Sequence, residues 1–235
     1  TASNNTAVGY QAGLSNTTGA SNTFLGTGVG SSVTTGNHNI LVGRNTGVDT
    51  IALTTGSYNI LLGNFSRTNA TGSTYAIGLG YNITATSGYT TLGHDSSDIR
   101  ASHGNVTWAT VSDERYKKDI VNSTAGLTFI NALTPRTFKY KTLGELPETF
   151  NAYEADSTEV FKNSYTNHGF IAQEVKAAID ADSSIKDGFK LWDDRDDGSQ
   201  EVAEAALIPI LVKAIQELSA TNDALVARIT ALEGA

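Results

Sequence analysis

The chain has 235 residues, no cysteine and a formal net charge of −8. That length suits one or two domains. The missing thiols exclude a disulfide framework and any thiolate metal site, and the negative balance argues against nucleic acid as a partner. No run of about 18 apolar residues exists, so no membrane helix is expected. The start shows no signal-peptide pattern, and its first residue, Thr1, is what a piece of a longer protein would show.

The averages hide a split. Residues 1–111 hold three basic side chains (Arg44, Arg67, Arg100), three acidic ones (Asp49, Asp95, Asp98), 17 of the 23 glycines and no proline. Residues 112–235 hold 13 basic and 21 acidic side chains, so the whole net charge belongs to them. Two unlike segments, 1–111 and 112–235, are expected to meet near Ser112.

The first segment is a repeat. An apolar pair closed by glycine recurs as NTAVG (5–9), NTFLG (22–26), NILVG (39–43), NILLG (59–63), IGLG (77–80) and TTLG (90–93). The closing glycines are spaced by 17, 17, 20, 17 and 13 residues, and Thr-Gly, Asn and Ser clusters lie between them. Each unit reads as a short strand, a turn, a second short piece and a turn. One unit cannot bury its apolar face alone, so it must stack on neighbours or on other chains. Gly, Asn, Thr and Ser all disfavour helix interiors. The rhythm resembles the β-repeats of trimeric fibrous adhesin heads and phage tail fibres. That implies an all-β fibre, intertwined or stacked in threes. A single-chain β-solenoid and a low-complexity linker are the other arrangements the pattern allows. His38, His94 and His103 fall in polar turns and read as surface residues. GTGVG (26–30) lacks the Gly-Lys-Ser/Thr ending of a phosphate loop.

The second segment reads as α+β. LTFINAL (127–133) predicts a short helix ended by Thr134-Pro135, and RTFKYK (136–141) a strand. Residues 142–166 read as loop with room for a short strand. NHGFIAQEVKAAI (167–179) opens as strand or turn and becomes helix. WDDRDDGSQEV (192–202) predicts a turn leading into a strand or helix. Asp193, Asp197, Gly198 and Glu204 match four positions of a calcium loop, but Arg195 stands where an oxygen ligand is needed; no metal or cofactor is expected. From residue 202 on, Ile208, Ile215, Asn222 and Ile229 recur every seven residues, as do Leu211, Leu218, Leu225 and Leu232. These are the a and d positions of a parallel coiled coil over 202–235, or the apolar stripe of a helix packed on its own domain.

At the junction, TVSDERYKKDI (110–120) sets Ser112 five residues before Lys117. A serine hydroxyl is a poor nucleophile until a base takes its proton, and a lysine serves if its environment keeps it neutral. Arg115 and Lys118 are near enough in sequence to press Lys117 toward neutrality. A charged, solvated hinge is the plainer alternative, and spacing alone does not separate the two.

SDERYKKDI resembles the opening signature of the C-terminal intramolecular chaperone domain of phage tail fibres, tailspikes and endosialidases, with its Ser-Asp-x-Arg-x-Lys-x-x-Ile pattern. A Pro-x-x-Phe-x-Tyr piece at 135–140, GFIAQEV at 169–175 and AIQEL at 214–218 follow in order. The resemblance implies a homotrimer that templates folding of the upstream fibre region of the same chain. It then implies autoproteolysis by a Ser–Lys serine peptidase, one turnover in cis, with Ser112 as nucleophile and Lys117 as general base. The implied cut is at Ser112–Asp113, while attack on the preceding carbonyl would cut Val111–Ser112. Asn167, His168, Gln173 and Glu174 are candidate supporting residues. The fibre part would sit in a virion tail and meet a host cell-surface receptor. The chaperone part would act in the host cytoplasm during assembly and be released. A non-cleaving trimeric adhesin with a permanent coiled-coil clamp is the competing reading. A glycan-cleaving enzyme finds no suitable carboxylate pair in 1–111.

Overall fold

The computed structural model describes residues 2–48, 50–183, 185 and 189–234, which leaves Asp49 outside the described residues. The chain divides into two compact units, Thr1–Lys118 and Asp119–Ala235.

The first unit is a β-solenoid of a single chain. Strands β1 (Thr6–Val8), β2 (Thr23–Leu25), β3 (Ile40–Val42), β4 (Ile60–Leu62), β6 (Ile77–Tyr81) and β8 (Tyr89–His94) stack in parallel, each on the next coil of the same chain. The register runs Val8–Leu25–Val42–Leu62–Leu79–Leu92, which carries the sequence spacing directly into coil length. A second short ladder joins β5 (Arg67–Thr68) to β7 (Thr84–Ala85). The middle residues of β2, β3 and β4 point inward: Phe24, Leu41 and Leu61 are buried together with Val29, Val33 and Leu53.

Two residue types make this stacking possible. The closing glycines Gly9, Gly26, Gly43, Gly63, Gly80 and Gly93 have φ between +122° and +150°. A Cβ there would come within 1.8 to 2.8 Å of neighbouring backbone, so only glycine serves. The asparagine opening each motif forms a buried ladder. Asn39 donates from Nδ2 to Asn22 Oδ1 (3.0 Å) and to Gly56 O (2.9 Å), and its own Oδ1 accepts from Asn59 Nδ2 (2.9 Å). Asn22, Asn39 and Asn59 are essentially fully buried, and their amides satisfy backbone groups that would otherwise be stranded in the core.

The parallel stack ends in an antiparallel cap. β8 pairs with β9 (Ser97–Ser102), and β9 pairs with β10 (Ala109–Thr110). Thr110 Oγ1 also donates to Asp98 O at 3.0 Å. The two-residue β10 is a short edge strand, which leaves little backbone free for unwanted pairing. It ends two residues before Ser112.

The second unit is α+β. Helix α1 (Leu127–Ala132) precedes β11 (Arg136–Phe138), which pairs antiparallel with β12 (Asn167–Gly169); α2 (Ala172–Ala181) follows. Between β11 and β12, residues 142–166 hold a one-turn 3₁₀ helix, Leu143–Glu145, and an isolated bridge from Thr142 to Val160. β13 (Trp192–Asp194) and β14 (Gln200–Val202) form a hairpin. Phe129, Val175, Ile179 and Leu191 make the core with Leu207 and Ile210.

The acidic run Asp193–Asp197 ends β13 and enters the turn of that hairpin. Asp197 accepts from Asn151 N, Ser199 N and Ser199 Oγ. These donors hold its carboxyl down at about 2. Arg195, at the centre of the calcium-like spacing, pairs with Glu201.

The chain ends in α3 (Ile208–Glu233), 26 residues that continue a 3₁₀ turn at Glu204–Leu207. Pro209 sits in its first turn, where a missing N–H costs nothing. One face, Leu207, Ile210 and Ala214, is buried in the unit's own core. The heptad positions lie on another face and are open: Ile208 is 61% exposed, Ile215 65%, Leu218 57% and Leu232 78%.

Candidate active site

The junction is organised by one turn. After β10, Ser112 leads into a 3₁₀ turn at Glu114–Tyr116, with Asp113 as its N-cap. Asp113 Oδ1 accepts from Arg115 N at 2.9 Å. Tyr116 N donates to Asp113 O (3.1 Å), and Lys117 N donates to Glu114 O (2.8 Å). The turn carries the chain back on itself, and Lys117 Nζ donates to Ser112 Oγ at 2.7 Å. That is the distance over which a base can take a proton.

Arg115 faces Asp113. Its Nε and Nη2 donate to Asp113 Oδ1 (2.9 Å) and Oδ2 (2.7 Å) in a two-armed contact. The Arg115 side chain, then its backbone N–H, hold the Asp113 carboxyl below the usual range, and Asp113 in turn raises Arg115. This differs from the sequence expectation that Arg115 presses on Lys117, because its charge is met by the nearer carboxylate. The contact escaped sequence reading because a pair two residues apart meets only in a turn of this kind. The Ser-Asp-x-Arg order was the available signal.

The whole stretch 103–124 is exposed. On its solenoid side, Leu92, Ser97, Ile99, Thr110, Val111 and Tyr116 line one groove. Val111 and Tyr116 thus lie on either side of Ser112 against the last hairpin of the solenoid. A second groove along β10 gathers Arg67, Asp95, Asp98 and Arg100. There Asp95 accepts from Asn82 Nδ2 at 2.5 Å and faces His94 Nδ1 at 3.2 Å.

The four candidate supporting residues belong to the second unit. Asn167 and His168 are on β12, where Asn167 Nδ2 donates to Tyr165 O (2.9 Å) and Asn163 Oδ1 (3.1 Å) and His168 is exposed opposite Thr137. Gln173 is exposed on α2. Glu174 accepts both arms of Arg136, at 3.0 and 2.7 Å, and that guanidinium lowers its pKa. Glu174 therefore ties α2 to β11. Among the described residues, no group of three or more His, Asp or Glu side chains is placed to hold a metal ion.

Residues 112–183 match the model of a peptidase family described as the chaperone of endosialidase. The match opens on Ser112 and runs through β11, β12 and α2. The C-terminal part of the chain thus resembles that family over residues 112–183. No curated protein and no solved structure matches the chain.

Proposed function

From a chain whose residues 112–183 match the chaperone-of-endosialidase family, we propose an intramolecular chaperone that trimerises, folds the β-solenoid before it, and removes itself by a cut beside Ser112. The observation that carries this reading is the 2.7 Å contact between Lys117 Nζ and Ser112 Oγ.

Two further features support it. The open a and d positions of α3 form an apolar stripe along a helix of about 39 Å. The adjoining face of its first turns is already occupied by the unit's own core. A second and third copy of the same helix would bury that stripe. Threefold assembly would also raise local chain concentration before the solenoids find their contacts.

The exposure of the junction carries the second argument. In the bond arrangement present, Lys117 donates to Ser112. Cleavage needs the reverse: a neutral Lys117 that accepts the hydroxyl proton as Oγ attacks a carbonyl carbon, then returns it to the leaving nitrogen. Water hydrolyses the resulting ester. A lysine is neutral near pH 7 only when it is desolvated or set among cations. Assembly supplies that cover, so cutting follows association. Once cut, the solenoid is separated from its template and is held by its unfolding barrier. The fibre part would then belong to a virion tail and meet a host receptor.

Denaturing electrophoresis and intact mass of wild type, Ser112→Ala and Lys117→Ala test this. Two fragments meeting at Ser112 in wild type, with both variants whole, is the expected result. A wild-type chain that stays at 24.7 kDa after folding would instead make the domain a permanent clamp.

A further inference from the structure

Resting on that reading, we infer that Asp113 and Arg115 are positioning residues whose two-armed contact holds the turn that returns Lys117 to Ser112. The turn is three residues long, contains no buried side chain, and so has no core to hold it. Isolated helical turns of this length do not persist in water. Besides the Lys117–Ser112 contact itself, its side-chain contacts are those of Asp113, which accepts the Arg115 N–H as N-cap and grips the Arg115 guanidinium by both oxygens. Lys117 then leaves the turn extended, at φ −115° and ψ 149°, with its ammonium on Ser112 Oγ.

A lysine stem carries much rotamer freedom. A fixed turn narrows the volume its nitrogen samples, and small errors in placement are costly for proton transfer. The clasp specifically needs a fork: lysine in place of Arg115 keeps the charge and loses the second arm. Asparagine in place of Asp113 keeps the N-cap acceptor and loses one arm and the charge. The clasp also sits on the C-terminal side of Ser112, while Thr110 and Asp98 fasten the N-terminal side. The peptide bonds flanking Ser112 therefore lie between anchors at Thr110 and Asp113.

The test is the rate of self-cleavage of the full 235-residue chain, followed from pH 6 to 10, for wild type, Arg115→Lys, Asp113→Asn and the double variant. Oligomeric state by light scattering is measured alongside. The inference expects each single variant to cleave at least about tenfold more slowly at every pH. The pH midpoint should be unchanged in Arg115→Lys, where both charges are kept and only position is lost. The double variant should be no slower than the worse single, because the two share one contact. Assembly should equal wild type. Ser112-dependent cleavage that proceeds at the wild-type rate in Arg115→Lys and Asp113→Asn overturns the inference and leaves the reading standing. So does a rate loss in Arg115→Lys that tracks a shifted midpoint, or a loss in either variant that tracks a failed assembly. A wild-type chain that never cleaves overturns both.

Discussion

Glu217 of the long helix α3 accepts the backbone N–H of Leu127, the first residue of α1, at 2.8 Å. Its other oxygen faces Lys213 one turn back, at 3.2 Å. One carboxylate therefore caps the short helix with a residue 90 positions away. Gly126 leaves room for it: a Cβ there would lie 2.5 Å from Glu217 Oε2. The helix that carries the open apolar stripe is in this way fastened to the unit's core.

Breaking that cap should loosen α1 from α3. Glu217→Ala and Gly126→Ala are each expected to lower the thermal midpoint of the C-terminal unit by a few degrees. The Leu127 N–H, then Lys213, hold the Glu217 carboxyl below its usual value of 4.5. A depressed carboxylate stabilises the fold above its unfolded pKa, and that contribution is lost as pH falls through the folded value. Asp197, held at about 2 against an ordinary 3.8, works the same way. Acid unfolding followed by circular dichroism should therefore steepen below about pH 4.5 in wild type, and less so in Glu217→Gln. A Glu217→Gln curve that overlays wild type would remove the cap from the account.

The solenoid should fail at its asparagines sooner than at its surface. Asn39 is fully buried and is joined to both neighbouring asparagines. Asn39→Leu fits an apolar core by volume but strands Gly56 O and the Asn59 amide. At about 1–3 kcal/mol for each buried group left unpaired, the loss should exceed about 2 kcal/mol in denaturant melts of the fibre segment. Substitution of exposed Val106 by Ser should change little by comparison.

These residues show how far the sequence could be read. Coil length was legible because each coil must close on a glycine whose Cβ would strike the next coil, so spacing along the chain and rise along the axis are the same quantity. The buried ladder was not legible, because Asn favours turns in isolation and only stacking turns its amide inward. The strands pair within one chain, where the repeat also allowed pairing between chains, since a period alone cannot say whose neighbour is whose. In α3 the heptads were visible, but the inward residues Leu207, Ile210, Ala214 and Glu217 were masked by them. At the junction, Ser112 and Lys117 were singled out by motif and meet at 2.7 Å. Glu174 also carried a motif, yet its carboxylate is engaged by Arg136.

The open stripe of α3 makes its own prediction. Ile215→Lys and Leu218→Lys each place a charge in the proposed seam and leave the inward face intact. Sedimentation should show trimer in wild type and monomer in either variant, with cleavage slowed at least tenfold because the junction stays uncovered. Asn222→Ile should tighten association and loosen register, since a polar residue at an a position costs stability and fixes alignment. Monomeric wild type that still cleaves would separate the cut from assembly altogether.

Which bond breaks carries mechanistic information of its own. If Ser112 Oγ attacks the Val111 carbonyl of its own chain, the ring formed has five members. The acyl group moves from nitrogen to oxygen, and hydrolysis of that ester leaves Ser112 as the new N-terminus. If the cut falls at Ser112–Asp113, the same hydroxyl would have to attack its own carbonyl through a strained four-membered ring. Ser112 of a neighbouring copy meets no such constraint. N-terminal sequencing of the C-terminal fragment separates the two. Serine first, with an intermediate that hydroxylamine splits, is the expected outcome of attack within one chain. Aspartate first, with cleavage restored when Ser112→Ala chains are co-assembled with wild type, is the expected outcome of attack between chains. In that case the trimer would supply the nucleophile as well as the cover over Lys117.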